Sequence, residues 1–183
     1  MDKQLGFKEG RKLKLDLHTH LLEATRFTTP TLDIVRDILE RVKLRGLDGI
    51  AITEHSNKSY GYQVKDIVEH HFDNHVLIIP GREIMVGRWE EVVELFLPDD
   101  MVFRFWAHPR ELDAINDLGD LQGIEIQNGM HNWHLHSERV RHFAEEHGLL
   151  MLSNSDAHYL NDIGQFYNEI TLEELCRRAM PLK

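Results

Sequence analysis

Near the start of the chain His18 and His20 are separated by one residue, and near its end Asp156 and His158 are spaced the same way. Residues two apart on an extended chain point to one face, so each pair can offer two ligand atoms to one ion from a strand end. Between the pairs lie His55, Glu83 and His108. Imidazole nitrogens suit zinc, iron or manganese, and carboxylates open the set to harder divalent ions. A mixed histidine and carboxylate set is the donor chemistry of an open hydrolytic centre more often than of a sealed structural one. The chain holds 13 histidines in 183 residues, and its single cysteine, Cys176, excludes an internal disulfide and a cysteine-only metal site.

A short element must deliver each of these residues. Lys12–Leu17 alternates basic and apolar side chains in the period of a strand and runs into His18-Thr19-His20. Ile34, Val35, Ile38, Leu39, Val42 and Leu44 recur near helical spacing, with Thr28 or Thr31 as cap and Gly46 as stop. The apolar run Gly49–Thr53 reads as a buried parallel strand that ends at Glu54-His55. A loop over Ser56–Tyr62 leads to a helix over Gln63–His71, then to a strand over Val76–Ile79 stopped by Pro80-Gly81, with Glu83 just beyond. Val92–Leu97 and Val102–Ala107 read as strands joined by a Pro98-Asp99-Asp100 turn, the second ending at His108-Pro109. A short helix over Glu111–Leu118 precedes a strand over Gly123–Gln127, which Asn128-Gly129 closes. Trp133–His147 reads as a helix ended by Gly148, and Leu149–Ser153 as a strand running into Asn154–His158. Thr171–Met180 forms a last helix, opened by Thr171 with Glu174.

Strands alternating with helices imply an α/β domain with a parallel sheet, open or closed. The candidate ligands all fall just past the carboxyl ends of different strands, where a barrel of parallel strands gathers its catalytic groups. An open doubly wound sheet would gather ligands at one crevice, and no glycine-rich nucleotide loop follows the first strand. The expected architecture is therefore a small distorted TIM-like barrel of about seven strand–helix units, with residues 1–183 as one domain. A net charge of −10 supplies no field to hold long nucleic acid or an anionic membrane. With 42% hydrophobic and 28% charged residues the composition is that of an ordinary globular domain. No apolar stretch has the length of a leader core or membrane span, and a lone cysteine suits a reducing compartment, so a cytoplasmic location is expected.

The residues also match a known pattern. The chain resembles the PHP (polymerase and histidinol phosphatase) family of metal-dependent phosphoesterases through DLHTH at 16–20, ITEH at 52–55, GREI at 81–84, AHP at 107–109 and SDAH at 155–158. That resemblance implies a distorted (β/α)7 barrel that hydrolyses phosphate esters with two or three divalent ions, Zn, Mn or Fe, at its carboxyl rim. It implies that His18, His20, Glu83 and Asp156 hold one ion, that Glu83 bridges to a second held by His108, and that His55 and His158 hold a third. These four residues of the first ion would act in catalysis through a metal-activated hydroxide that attacks phosphorus. Family members carry a His, Asp or Glu shortly after the first pair, which points to Glu23 as a further ligand.

Many relatives supply another histidine between the GxE and AHP motifs, yet this chain has none from Val76 to Ala107. Glu90, Glu91, Glu94, His131 and His134 stand as alternatives. A phosphate also needs a cationic anchor; Arg110 is the favoured one, with Arg82, Arg26 and Lys58 also near the motifs. Asn128–His136 is polar and aromatic enough to wall a pocket in which Trp133 packs on a ring, whereas Trp106 reads as core. His70, His71, His75, His142 and His147 read as surface residues. The expected substrate is a small phosphomonoester. The alternatives are a non-catalytic metal-binding scaffold of the same fold and a metal-dependent amidohydrolase. Against the latter, no lysine lies between Asp66 and Leu182 to be modified as a metal bridge.

Overall fold

The computed structural model describes residues 10–55, 57–72, 76–86, 89–113 and 119–182. The chain runs β1 (Leu13–Asp16), α1 (Leu21–Ala24), α2 (Leu32–Leu44), β2 (Gly49–Ile52), α3 (Ser59–His71), β3 (Leu77–Val86), β4 (Glu90–Leu97) and β5 (Met101–Ala107). It continues with β6 (Gly123–Asn128), α4 (Ser137–His147), β7 (Leu150–Asn154), β8 (Asn168–Ile170), α5 (Leu172–Arg178) and β9 (Met180–Pro181). One sheet has the order β7-β6-β5-β4-β3-β2-β1-β8, with β9 on β5. Strands β1, β2 and β3 are parallel to one another, as are β5, β6 and β7, while β3-β4-β5 is an antiparallel meander.

The sheet curls until its ends β7 and β8 meet, and a side chain rather than a ladder bridges them. The Asn168 amide nitrogen donates to the carbonyls of Leu15 and Ser153, and its oxygen accepts from the Ser153 N–H at 2.9 Å. The result is a nearly closed, TIM-like barrel, as the strand pattern predicts. Its interior is filled by Leu13, Leu15, Leu95, Phe103, Phe105 and Leu152. On the outer face α2 and α3 pack Val35, Ile38, Val42 and Val64 against Ile50 and Ile52. Farther round, α4 packs Val140 and Ala144 against Trp106 and Ile124. Burial on both faces explains why β2 carries an apolar run with no alternation.

Helix signals read from sequence act as expected at α2, where the Thr31 hydroxyl accepts from the Ile34 N–H, and at α5, where the Thr171 hydroxyl accepts from the Glu174 N–H at 3.0 Å. Three boundaries differ. Strand β3 does not stop at Pro80-Gly81: Pro80 is the last partner of β2, and from Gly81 the same strand pairs with β4. Gly81 permits the change of partner, because a Cβ there would sit 2.6 Å from the Glu94 carbonyl oxygen. Helix α3 begins at Ser59, four residues ahead of the expected start, since Asn57 accepts from the Ser59 N–H and turns the chain into the helix. Helix α4 begins at Ser137 instead of Trp133, because the Asn128 side-chain oxygen captures the N–H groups of Met130 and His131 in a turn. The strands β8 and β9 and the single turn α1 were not expected. Ser56, His75 and Ala114–Leu118, and with them most of the short helix expected at Glu111–Leu118, lie outside the described residues.

Candidate metal centre

The carboxyl rim collects side chains from five parts of the barrel. His18 and His20 leave β1, His55 follows β2, Glu83 lies in β3, His108 follows β5, and Asp156 and His158 follow β7. His18 Nε2 lies 3.1 Å from His20 Nε2, 3.2 Å from Glu83 Oε1 and 3.5 Å from Asp156 Oδ1. His20 Nε2 in turn lies 3.4 Å from Glu83 Oε2 and 3.2 Å from Asp156 Oδ1. Glu83 spans two neighbours, with Oε1 3.2 Å from His108 Nε2 and Oε2 3.1 Å from His55 Nδ1. Glu23, from α1, lies 3.6 Å from His55 Nε2 and 3.8 Å from His158 Nε2. All eight residues expected as ligands thus share one rim.

Backbone geometry holds this cluster. His108 and Asp156 adopt φ of 28° and 53°, in the left-handed region that disfavours side-chain-bearing residues. The Asp156 N–H donates to the His18 carbonyl at 2.9 Å, which ties the two ends of the chain's chemistry together. Gly129 must be glycine at this rim, since a Cβ there would lie 2.2 Å from the Ser155 carbonyl oxygen. His158 donates from Nδ1 to the Asp156 carbonyl at 2.9 Å, which leaves Nε2 free as a ligand atom.

The rim attracts positive charge. Burial disfavours a charged His18, yet the carboxylates of Asp156, Glu83 and Glu125 outweigh it and hold the imidazole well above the ordinary histidine pKa. Burial likewise opposes the charges of Glu83 and Asp156, and His18 chiefly overcomes it, holding both carboxyls well below their ordinary range. Burial, helped by His108, pushes His131 down to about 4, so this ring is neutral at neutral pH. Asp156 Oδ1 is buried and makes no hydrogen bond among the described residues, although the ring nitrogens of His18 and His20 face it. A carboxylate oxygen left unbonded among imidazole nitrogens fits a divalent cation. Four triads could hold an ion, their ligand atoms lying within 4.8 Å of one another: His18, His20 and Glu83; His20, His55 and His158; His108, His131 and Asp156; and His55, Glu83 and Glu91.

Two of the five alternatives for the histidine missing between Glu83 and His108 lie at the rim. Glu91, from β4, brings Oε2 within 3.5 Å of His108 Nε2. His131, from the β6–α4 connection, stacks 4.4 Å from the His108 ring and lies 3.7 Å from Asp156 Oδ2. The other three alternatives are engaged elsewhere. Glu90 accepts from the indole N–H of the buried Trp106 at 2.7 Å, Glu94 pairs with Arg82 and Arg104, and His134 Nε2 lies 3.2 Å from the His108 carbonyl.

Of the expected phosphate anchors, Arg82 is taken by Glu94 and the Lys58 ammonium sits 5.5 Å over the Phe96 ring. Arg110 is exposed and shares a cleft of about 110 Å³ with His134, His136 and Arg139. Its charge also depresses the pKa of His134, after burial, and that of His131, after burial and the histidine neighbours, which sets it beside the rim. Trp133 is 81% exposed and Trp106 fully buried. Sequence reasoning missed Glu125, a buried carboxylate 3.0 Å from His18 Nδ1. Its position inside an apolar GIEIQ strand was the available signal.

A family profile described as PHP-associated matches residues 134–179, the stretch that carries β7, Asp156 and His158. The PHP resemblance is borne out. No curated protein matches this PHP-like chain. In fold it is similar to PsfC from Pseudomonas syringae, with a TM-score of 0.62 and 20% identity over 84% of this chain and 80% of that one. It is also similar to a Bifidobacterium adolescentis protein provisionally named a metal-dependent phosphoesterase, with a TM-score of 0.66 and 14% identity over 92% and 97% of the two chains. A third similar structure is an amidohydrolase from Chromobacterium violaceum with bound sulfate and no metal, with a TM-score of 0.60 and 14% identity over 91% and 97%.

Proposed function

We propose that this chain is a metal-dependent phosphoesterase acting on a small phosphomonoester. The observation that carries the reading is the convergence of His18, His20, His55, Glu83, His108, Asp156 and His158 on one rim. In this reading His18, His20, Glu83 and Asp156 hold one ion, Glu83 reaches toward a second at His108 and His131, and His20, His55, His158 and Glu23 surround a third. Such ions polarise phosphoryl oxygens and make water a nucleophile near neutral pH. The chain's own residues hold them. Asp156 and Glu83 stay ionised, while neutral His131 keeps a lone pair for coordination.

In this reading Arg110 takes the substrate phosphate in two parallel hydrogen bonds, a role supported by its exposure in a cleft shared with Arg139. Trp133, in the β6–α4 connection, offers an exposed ring to the leaving group. The name of the Bifidobacterium neighbour supports phosphate chemistry, and that of the Chromobacterium neighbour makes amide hydrolysis the second reading. The sequence-based expectations of a cytoplasmic enzyme without a long nucleic-acid partner belong to the same reading. Among the described residues no helix is long and apolar enough to cross a membrane.

The test is phosphate release from an aryl phosphate by chelated protein resupplied separately with Mn²⁺, Zn²⁺, Fe²⁺ or Mg²⁺, beside His18→Ala. Turnover that needs metal and is lost in the variant is the expected result. Ions that bind and raise thermal stability without any turnover would favour the scaffold reading instead.

A further inference from the structure

We propose that Glu125 is a positioning residue that fixes which nitrogen of His18 faces the metal centre, an inference that rests on the metal-centre reading above. Glu125 lies in β6 and is fully buried. Its two oxygens accept four hydrogen bonds. Oε1 takes His18 Nδ1 at 3.0 Å and Asn154 Nδ2 at 2.8 Å, and Oε2 takes the His108 N–H and Asn128 Nδ2, both at 2.8 Å. Every acceptor site of the carboxylate is thus filled by a donor.

This arrangement has a chemical consequence at His18. In the neutral ring that an ion requires, Nδ1–H given to the carboxylate leaves the lone pair on Nε2. Nε2 is the atom that faces His20, Glu83 and Asp156 at 3.1, 3.2 and 3.5 Å. The same carboxylate braces the other ligand segments. Its bond to the His108 N–H holds a residue at φ 28°. Asn128, held by Glu125, donates to Asp156 Oδ2 at 3.2 Å and accepts from the His131 N–H at 2.9 Å. Asn154, held on the other oxygen, accepts from the Leu17 N–H at 3.0 Å, just before His18. One carboxylate thereby connects the ends of β1, β5, β6 and β7.

Glu125→Gln keeps the shape and removes this function. Whichever way the amide turns, its NH₂ meets two donors. On the Oε2 side these are a backbone N–H that cannot turn and the Asn128 amide. On the Oε1 side only Asn154 conflicts, because His18 can move its proton from Nδ1 to Nε2. The amide therefore settles with NH₂ toward His18, and an Nε2–H then points into the centre where a lone pair is needed.

The experiment is Zn²⁺ titration by a competing chelator, together with imidazole ¹⁵N and ¹H resonances of the Zn²⁺-loaded protein, on the parent and on Glu125→Gln. In the parent, His18 should bind through Nε2 and show a downfield, slowly exchanging Nδ1–H proton. The variant should lose that proton and bind Zn²⁺ about 10–100-fold more weakly, the range for residues that orient metal-bound histidines. A parent in which His18 binds through Nδ1 overturns the inference without any variant. So does a variant that melts at lower temperature yet keeps the parental Zn²⁺ affinity and the downfield proton, since that is what a merely structural carboxylate would do. A parent that binds no Zn²⁺ would sink the metal-centre reading and this inference with it.

Discussion

An imidazole serves a metal only if it is neutral and aimed, and His131 meets both conditions. Burial and the neighbouring His108 keep its pKa at about 4, and the turn captured by Asn128 brings its ring beside His108 and Asp156. His134, three residues on, differs because its Nε2 is directed to the His108 carbonyl. Removing His131 should therefore lower metal content where removing His134 does not. His131→Ala should retain about one ion fewer through gel filtration, with affinity at the His108 position weakened at least about 10–100-fold, as even supporting residues do. Elemental analysis of the two variants checks this, and equal metal content in both would refute the role given to His131. The paired motifs at 18–20 and 156–158 were legible in sequence because period-two spacing at a strand end has one geometric meaning. His131 was legible only as one of five alternatives, because its reach depends on a side-chain-captured turn that no spacing rule reveals.

Neighbouring strands meet through cross-strand pairs, and the register of β3, β4 and β5 aligns Arg82, Glu94 and Arg104 in one row. The buried Glu94 carboxylate accepts from Arg82 Nε at 2.6 Å and Arg104 Nε at 2.8 Å. Burial opposes its charge, but the hydrogen bonds from Arg104 and Arg82 outweigh burial and hold its pKa below the ordinary carboxylate value. A folded-state pKa below the unfolded one means that the stabilisation is complete above the ordinary carboxylate pKa and is lost as pH falls through the folded value. Glu94→Gln should cost about 3 kcal/mol at neutral pH, near the low end for breaking a buried pair because the Arg82 side chain is 35% exposed. The difference between parent and variant in denaturant unfolding should shrink as pH drops below about 4. A gap that stays constant from pH 7 to pH 3 would contradict this. The strands themselves were legible from their apolar runs, yet Pro80 misled, because a proline at the last parallel pair can sit in a strand that changes partner there. The strand β8 escaped notice because its three residues have no apolar run, and what matters in it is the amide of Asn168.

Across the whole molecule, an apolar barrel interior carries a polar rim, and the two are continuous. Phe105 packs edge-on to the His18 ring with centroids 6.2 Å apart, so the core directly supports the first candidate ligand. The barrel could be anticipated from strands that each end in a polar residue, and the short Pro98-Asp99-Asp100 turn already required its two flanking strands to run antiparallel. Closure by a side chain was not legible, because it depends on contacts between residues far apart in sequence, such as Asn168 with Leu15 and Ser153. If this rim holds several metal ions, anomalous diffraction from crystals soaked with Mn²⁺ or Zn²⁺ will show them in place. Peaks are expected within about 2.0–2.3 Å of ligand atoms of His18, His20, Glu83 and Asp156, and further peaks beside His108 with His131 and beside His55 with His158. Ions found only at surface carboxylates, with none among these side chains, would contradict the metal-centre reading.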